Sequence, residues 1–213
     1  MSNVFTTPFL TPFLRRIARA GLHLAGWRTN LSEAPPPPFV FIGAPHTSNW
    51  DFVVAVMAKW SIGLQLQFWG KDSLFRFPVF GRWLRWIGGI PVDRSAPGGL
   101  VGQAIEAFSQ AKSSGTYFWL GLSPEGTRKK TPGWRSGFYK TAVQANVPVC
   151  LVQLDFAQRR VDVTHFLQLS GDESVDLDTI AAFFSKVQGC NPDNASPVVL
   201  LSDRSTARSR TSF

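Results

Sequence analysis

The sequence predicts one α/β domain in which a mostly parallel mixed sheet is flanked by helices, with an amphipathic helix at its N-terminal end. Three observations predict it. Apolar runs of strand length at residues 39–44, 64–69, 88–92, 116–122 and 147–156 alternate with stretches of helical periodicity. Strands that alternate with helices lie side by side and send their crossover helices to both faces of the sheet. At 213 residues and 44% hydrophobic content, the chain is long enough for one sizeable core, and no second independent domain is expected.

Residues 5–27 mix Phe9, Phe13, Leu14, Ile17 and Leu22 with Arg15, Arg16 and Arg19, and carry no acidic side chain. Two readings fit such a helix: it lies in the headgroup layer of an anionic leaflet, or it packs on the domain with its arginines in water. Pro35 to Pro38 form a stiff, extended linker. The chain thus divides into a membrane-proximal segment 1–34, a main domain 35–190 and a basic tail 191–213, with residues 202–213 expected to be mobile. The prolines on one side and Gly43-Ala44-Pro45 on the other bound a buried strand over 39–44. Ser48 and Asn49 are N-cap types, and Asp51 completes a capping-box pattern for a helix over 50–62.

Further on, residues 77–86 read as a short amphipathic helix bearing Arg82 and Arg85, 96–113 as a helix after a Pro-Gly-Gly break, and 134–146 as another. Trp134 and Phe138 are expected in the core. Residues 160–169 should pair antiparallel with 147–156, and 174–189 should form a helix stopped by Gly189.

The formal charge of +8 asks for an anionic partner, which charge alone does not name. A nucleic acid is disfavoured because no reader motif is present. Aromatic residues make up 13% of the chain, enough that some are expected at a lipid interface as well as in the core. Cys150 and Cys190 show no paired-ligand spacing, and His23, His46 and His165 form no cluster, so neither a metal site nor a disulfide framework is expected. The sequence shows no secretory signal and no uninterrupted apolar run of about 18 residues. Membrane contact is therefore expected to be peripheral, on the cytoplasmic face.

His46 stands just past the strand at 39–44, and Asp51 falls in the first turn of the helix that follows. Five residues of ideal helix turn through about 500°, so the two side chains meet only if His46 lies on the turn before the helix. A carboxylate at that helix end is favoured as the anion and can fix an imidazole tautomer, which makes His46 a candidate general base. The same pattern also fits a plain cap beside a loop histidine. No Gly-x-Ser-x-Gly elbow is present, which disfavours a serine hydrolase.

Lys71, Arg94 and the run Pro124-Glu125-Gly126-Thr127-Arg128 each follow a predicted strand, and parallel strands would carry all of them to one edge. The tight turn brings backbone N–H groups toward an anion where Gly126 has no side chain in the way, and Arg128 offers a planar fork for phosphate. It equally fits a capped surface turn with an internal Glu–Arg pair. Lys129, Lys130, Arg135 and Lys140 lie close by, either drawing in phosphates or forming a solvated face.

Together these residues resemble the glycerolipid acyltransferase family, which includes the lysophosphatidic acid acyltransferases. His46-Thr-Ser-Asn-Trp-Asp51 is similar to the family's first block, Gly89-Ile-Pro-Val-Asp-Arg94 to its second, Pro124-Glu-Gly-Thr-Arg128 to its third, and Val147-Pro-Val149 to the start of its fourth. The resemblance covers residues 39–154 and implies a glycerol-3-phosphate acyltransferase-like fold. It also implies transfer of a fatty acyl group from acyl-CoA or acyl carrier protein, with no bound cofactor, to the hydroxyl of a lysophospholipid, 1-acylglycerol 3-phosphate being the commonest acceptor. Carried over residue by residue, His46 is the base and Asp51 its partner. Arg94, Glu125, Gly126, Thr127 and Arg128 form the acceptor-phosphate site, with Lys71 joining on a looser match. Pro45, Pro91 and Leu151 depart from the family's blocks and bear on the acceptor rather than the chemistry. The rival reading is a non-catalytic protein of this fold that binds anionic lipid; the presence of both His46 and Asp51 argues against it.

Overall fold

The computed structural model describes residues 10–31, 38–92, 99–116 and 118–201. A helix α1 (Leu10–Leu24) and a short strand β1 (Arg28–Leu31) precede the strand β2 (Phe39–Ala44) and helix α2 (Asn49–Ile62). Then come β3 (Gln67–Lys71), a single turn α3 (Asp72–Phe75), α4 (Pro78–Trp86), β4 (Gly89–Val92), α5 (Gly99–Ser114) and β5 (Trp119–Leu122). The described chain closes with α6 (Gly137–Ala145), β6 (Val149–Asp155), β7 (Arg160–Leu167), α7 (Glu173–Phe184) and a 3-10 turn, Pro192–Asn194.

The seven strands form one sheet in the order β1-β7-β6-β2-β5-β3-β4, which puts β2 at its centre. β2 runs parallel to β5 and β6, and β3 runs parallel to β4 and β5. β7 returns antiparallel to β6, and β1 adds parallel to β7 at the edge. Side chains alternate across a strand, so β2 feeds both faces. Val40, Ile42 and Ala44 join a core with α5, α6 and α7, while Phe39 joins the opposite core with α1 and α2. A satellite cluster of Phe75, Leu84 and Ile87 ties α3 and α4 to Val56 and Trp60 of α2. The chain is a single α/β domain with a mostly parallel sheet between two helical layers. Trp134 and Phe138 are both in the core, as expected.

Several boundaries differ from the sequence-based expectations. β1 was not foreseen because Arg-Thr-Asn-Leu has one apolar residue and pairs only at an edge. Trp134 precedes α6 and makes an isolated bridge to Leu200. The last helix ends at Phe184, so Gly189 does not stop it. Gly189 sits instead where a Cβ would be 2.6 Å from Thr47 Oγ1, which leaves room only for hydrogen. Residues 191–201 fold back onto the domain, with Trp134 N–H donating to Val199 O and Leu201 N–H to Trp134 O.

For α1 the structure bears on both readings. Arg15 Nε and Arg19 Nε donate to the Ser61 carbonyl at 3.2 and 2.9 Å, and Ala18 and Leu22 are buried. The helix therefore caps the end of α2 and still exposes Phe13, Ile17 and Leu24. Among the described residues no helix is long and apolar enough to cross a membrane. Residues 5–9, the linker prolines 35–37, Arg94 and residues 202–213 lie outside the described residues.

Candidate active site

Because β2, β3, β4, β5 and β6 run the same way, their carboxyl ends share one edge, where open α/β sheets place their ligands. β2 ends at Ala44, and a cis Ala44–Pro45 bond leads into the turn that carries His46. Ser48 is the N-cap of α2 in extended backbone conformation, with a capping box formed by its side chain and Asp51. The carboxylate of Asp51 is 2% exposed and lies 3.0 Å from His46 Nδ1 through Oδ2, while the imidazole is 25% exposed. The same Oδ2 accepts the N–H groups of Thr47 and Ser48. Capping the helix and orienting the histidine are thus one act by one oxygen. Held at Nδ1 by an acid, the ring is left to accept a proton at Nε2.

Glu125 is also 2% exposed, and its carboxylate is turned inward. Oε2 accepts the His46 backbone N–H at 2.6 Å, and Oε1 accepts the Ser196 N–H at 3.3 Å. Burial raises its pKa above the ordinary carboxylate value, and the two backbone donors oppose that shift. The third motif therefore grips the main chain of the first.

Gly126 has φ +66°, and a Cβ there would collide with the Arg135 side chain. A residue other than glycine would be strained and obstructed at once. The Gly126 N–H donates to Ser123 O at 3.2 Å, so the turn uses it internally. Thr127 Oγ1 accepts the Lys129 N–H at 3.3 Å. Arg128 Nη1 donates to Asn49 Oδ1, which joins the guanidinium to the first turn of α2. Lys71 is exposed at the end of β3, two strands from β2 on the same edge.

His46, Asp51, Glu125 and Arg128 are thus linked by direct contacts or through Asn49, and Lys71 shares their edge. Sequence reasoning missed Thr47, Asn49, Asn191 and Ser196 as members of this group. Asn191 N–H donates to Thr47 Oγ1 and Asn191 Nδ2 to the Thr47 carbonyl, both at 3.0 Å. Ser196 Oγ in turn accepts the Thr131 N–H at 3.0 Å. Asn49 was visible as a possible cap, whereas Asn191 lay in a Pro- and Ser-rich stretch that reads as tail. Among the described residues no group of three or more His, Cys, Asp or Glu side chains is placed to hold a metal ion.

The family model for acyltransferases matches residues 28–154, more than half of the chain. The chain belongs to the acyltransferase family. The glycerolipid acyltransferase resemblance drawn from the four motifs is borne out at the level of family. A solved structure similar in fold is the 1-acyl-sn-glycerophosphate (LPA) acyltransferase PlsC from Thermotoga maritima, with a TM-score of 0.54 at 14% identity. The similarity covers 82% of this acyltransferase and 76% of that chain. No curated protein matches the sequence.

Proposed function

We propose that this acyltransferase moves a fatty acyl group from a thioester, acyl-CoA or acyl carrier protein, to the hydroxyl of a lysophospholipid, 1-acylglycerol 3-phosphate first among candidates. The observation that carries the reading is the 3.0 Å contact between His46 Nδ1 and a buried carboxylate, made at the sheet edge beside Arg128. It supports the following chemistry. His46 Nε2 takes the proton of the acceptor hydroxyl as that oxygen attacks the thioester carbonyl carbon. Asp51 stabilises the imidazolium that forms. The tetrahedral intermediate then collapses with cleavage of the C–S bond, and the imidazolium proton passes to the departing thiolate. No acyl-enzyme is needed.

Arg128 and Lys71, together with Arg94 on the strength of its sequence motif, would hold the acceptor phosphate. Glu125 acts in this reading by positioning the His46 main chain. General-base help is worth about 10²–10⁴-fold, so alignment of donor and acceptor must supply much of the rest. Membrane contact would be peripheral, in keeping with a lipid acceptor.

The test is to incubate the purified protein with long-chain acyl-CoA or acyl carrier protein and a panel of lysolipids, reading products by mass spectrometry. A phospholipid product that vanishes in His46→Ala, with the thermal transition retained, is the expected result. Undiminished product from that variant would remove His46 from the mechanism, and no product from any pair would overturn the reading.

A further inference from the structure

The large apolar side chains left in water are unevenly spread. Of fourteen among the described residues, ten lie on α1 to α4 and an eleventh, Phe77, is the N-cap of α4, against three on the remainder of the fold. α4 is inverted relative to an ordinary surface helix, whose outward face is polar. Gly81 and Leu84 are buried, whereas Val79 is 83% exposed and Phe77, its N-cap, 61% exposed. At about 100° per residue, Val79 and Trp83 stand at the middle of the outward face, with Phe80 on one flank and Arg82 on the other. The Phe80 and Trp83 rings stack at 5.6 Å. Arg85 Nη1 donates to Phe75 O at 3.2 Å and locks α4 to α3, so this face is a fixed part of the fold.

The first turn of α2, beside the site, adds further exposed aromatic side chains. Trp50, next to Asp51 in sequence, is 63% exposed, and Phe52 sets its ring edge-on to Phe68 of β3 at 5.5 Å. Lys71, Arg76 and Arg82 are exposed around it. From residue 71 to 86 the one acid is Asp72, ion-paired with Arg76 at 2.8 Å. Aromatic and aliphatic side chains ringed by cations match the boundary of an anionic bilayer, where rings sit at headgroup level and arginines meet lipid phosphates. We propose that α3 and α4, with the first turn of α2, form the surface by which the protein settles on an anionic phospholipid bilayer, with its catalytic edge turned to the lipid. The purpose of that contact rests on the lysolipid reading above; the contact itself is measured separately.

Full-length protein and the double variant Phe77→Ser/Val79→Asp are sedimented with phosphatidylcholine vesicles, with and without phosphatidylglycerol. Wild type should prefer the anionic vesicles and release in high salt, and the double variant should bind them about tenfold or more weakly with an unchanged thermal midpoint. Binding equal to wild type overturns the proposal, as does a loss confined to Ile17→Asp on α1. Arg82→Glu leaves the apolar face intact and serves if the double variant fails to fold. It should weaken binding to anionic vesicles and spare neutral ones; unchanged binding to anionic vesicles overturns the proposal. Acyl transfer is followed alongside, with the acceptor either dispersed as a short-chain monomer or embedded in vesicles. Vesicle binding through α4 without any product would sink the lysolipid reading alone. Product from the dispersed acceptor, with vesicle binding unaltered in the variants, would sink the docking surface alone.

Discussion

Asp51 Oδ2 accepts two backbone N–H groups and holds the imidazole, so replacing it tests stability and chemistry together. Asp51→Asn keeps the shape of the side chain and removes the charge that steadies an imidazolium. It should lower kcat by about 10²–10⁴-fold with little change in acceptor KM, and cost about 1–3 kcal/mol in denaturant unfolding. Glu125 makes a different prediction. Burial raises its pKa, so over the range just above the ordinary carboxylate value the folded chain keeps a proton that the unfolded chain has released. The stability this gives is present at acid pH and is lost as pH rises through the folded value. Glu125→Gln should remove that slope, seen in thermal midpoints of the two proteins compared across the acid range; parallel curves would contradict it. At this scale the sequence was informative about identity: His46, Asp51 and Glu125 were all singled out. Their partners were hidden, because nothing in a linear pattern tells whether Glu125 faces a ligand or the backbone N–H of a residue 79 positions earlier.

The strap from Gly189 to Ser196 reaches the His46 turn through Thr47 and Glu125. Asn191→Leu would leave the buried Thr47 carbonyl without its side-chain donor and let the His46 turn shift. A displacement of about 1 Å costs up to about 10²-fold in rate. The variant should therefore lose kcat while acceptor KM holds, and Asn191→Gln should recover little because the extra methylene misplaces the amide. Equal losses in kcat and stability alone, with no change at matched folded fraction, would reduce the strap to scaffolding. Lys59, in α2, donates to the Leu66 and Ile87 carbonyls and is 4% exposed. Burial pushes its pKa down to about 7 from 10.5. Between those values the unfolded chain binds a proton that the folded chain has lost, so stability should rise with pH across that window. Lys59→Met should flatten the rise, which urea unfolding at several pH values would show. Elements were legible where periodicity was strong, as in β2, α2 and β6. They were not legible where tertiary contacts set the limits: Gly189 reads as a helix stop, yet its missing side chain is required by Thr47.

Across the whole molecule, the strand that delivers His46 is the middle one of seven, covered by helices on both faces. Amide protons of β2 and β6 should exchange most slowly, near the global unfolding limit, and those of the edge strands β1 and β4 much faster. Hydrogen exchange read by mass spectrometry checks this directly, and fast exchange in β2 would contradict the ordering. Alternation of strand and helix was enough to foresee a mostly parallel sheet, with His46, Lys71 and the 124–128 turn on one edge. The order of the strands was not legible, since it depends on which crossover passes over which neighbour. The two helical layers also differ in a way that composition conceals: among the described residues, one leaves only Val143 and Val175 of its large apolar side chains in water, and the other leaves many.

The strap also sets a timetable for biosynthesis. Thr47 and Asn191 are separated by 144 residues, so a ribosome finishes the histidine turn long before it makes the segment that secures it. A half-translated chain can carry both His46 and Asp51 and still hold the ring loosely. The turn is secured late in translation, after all seven strands have been made.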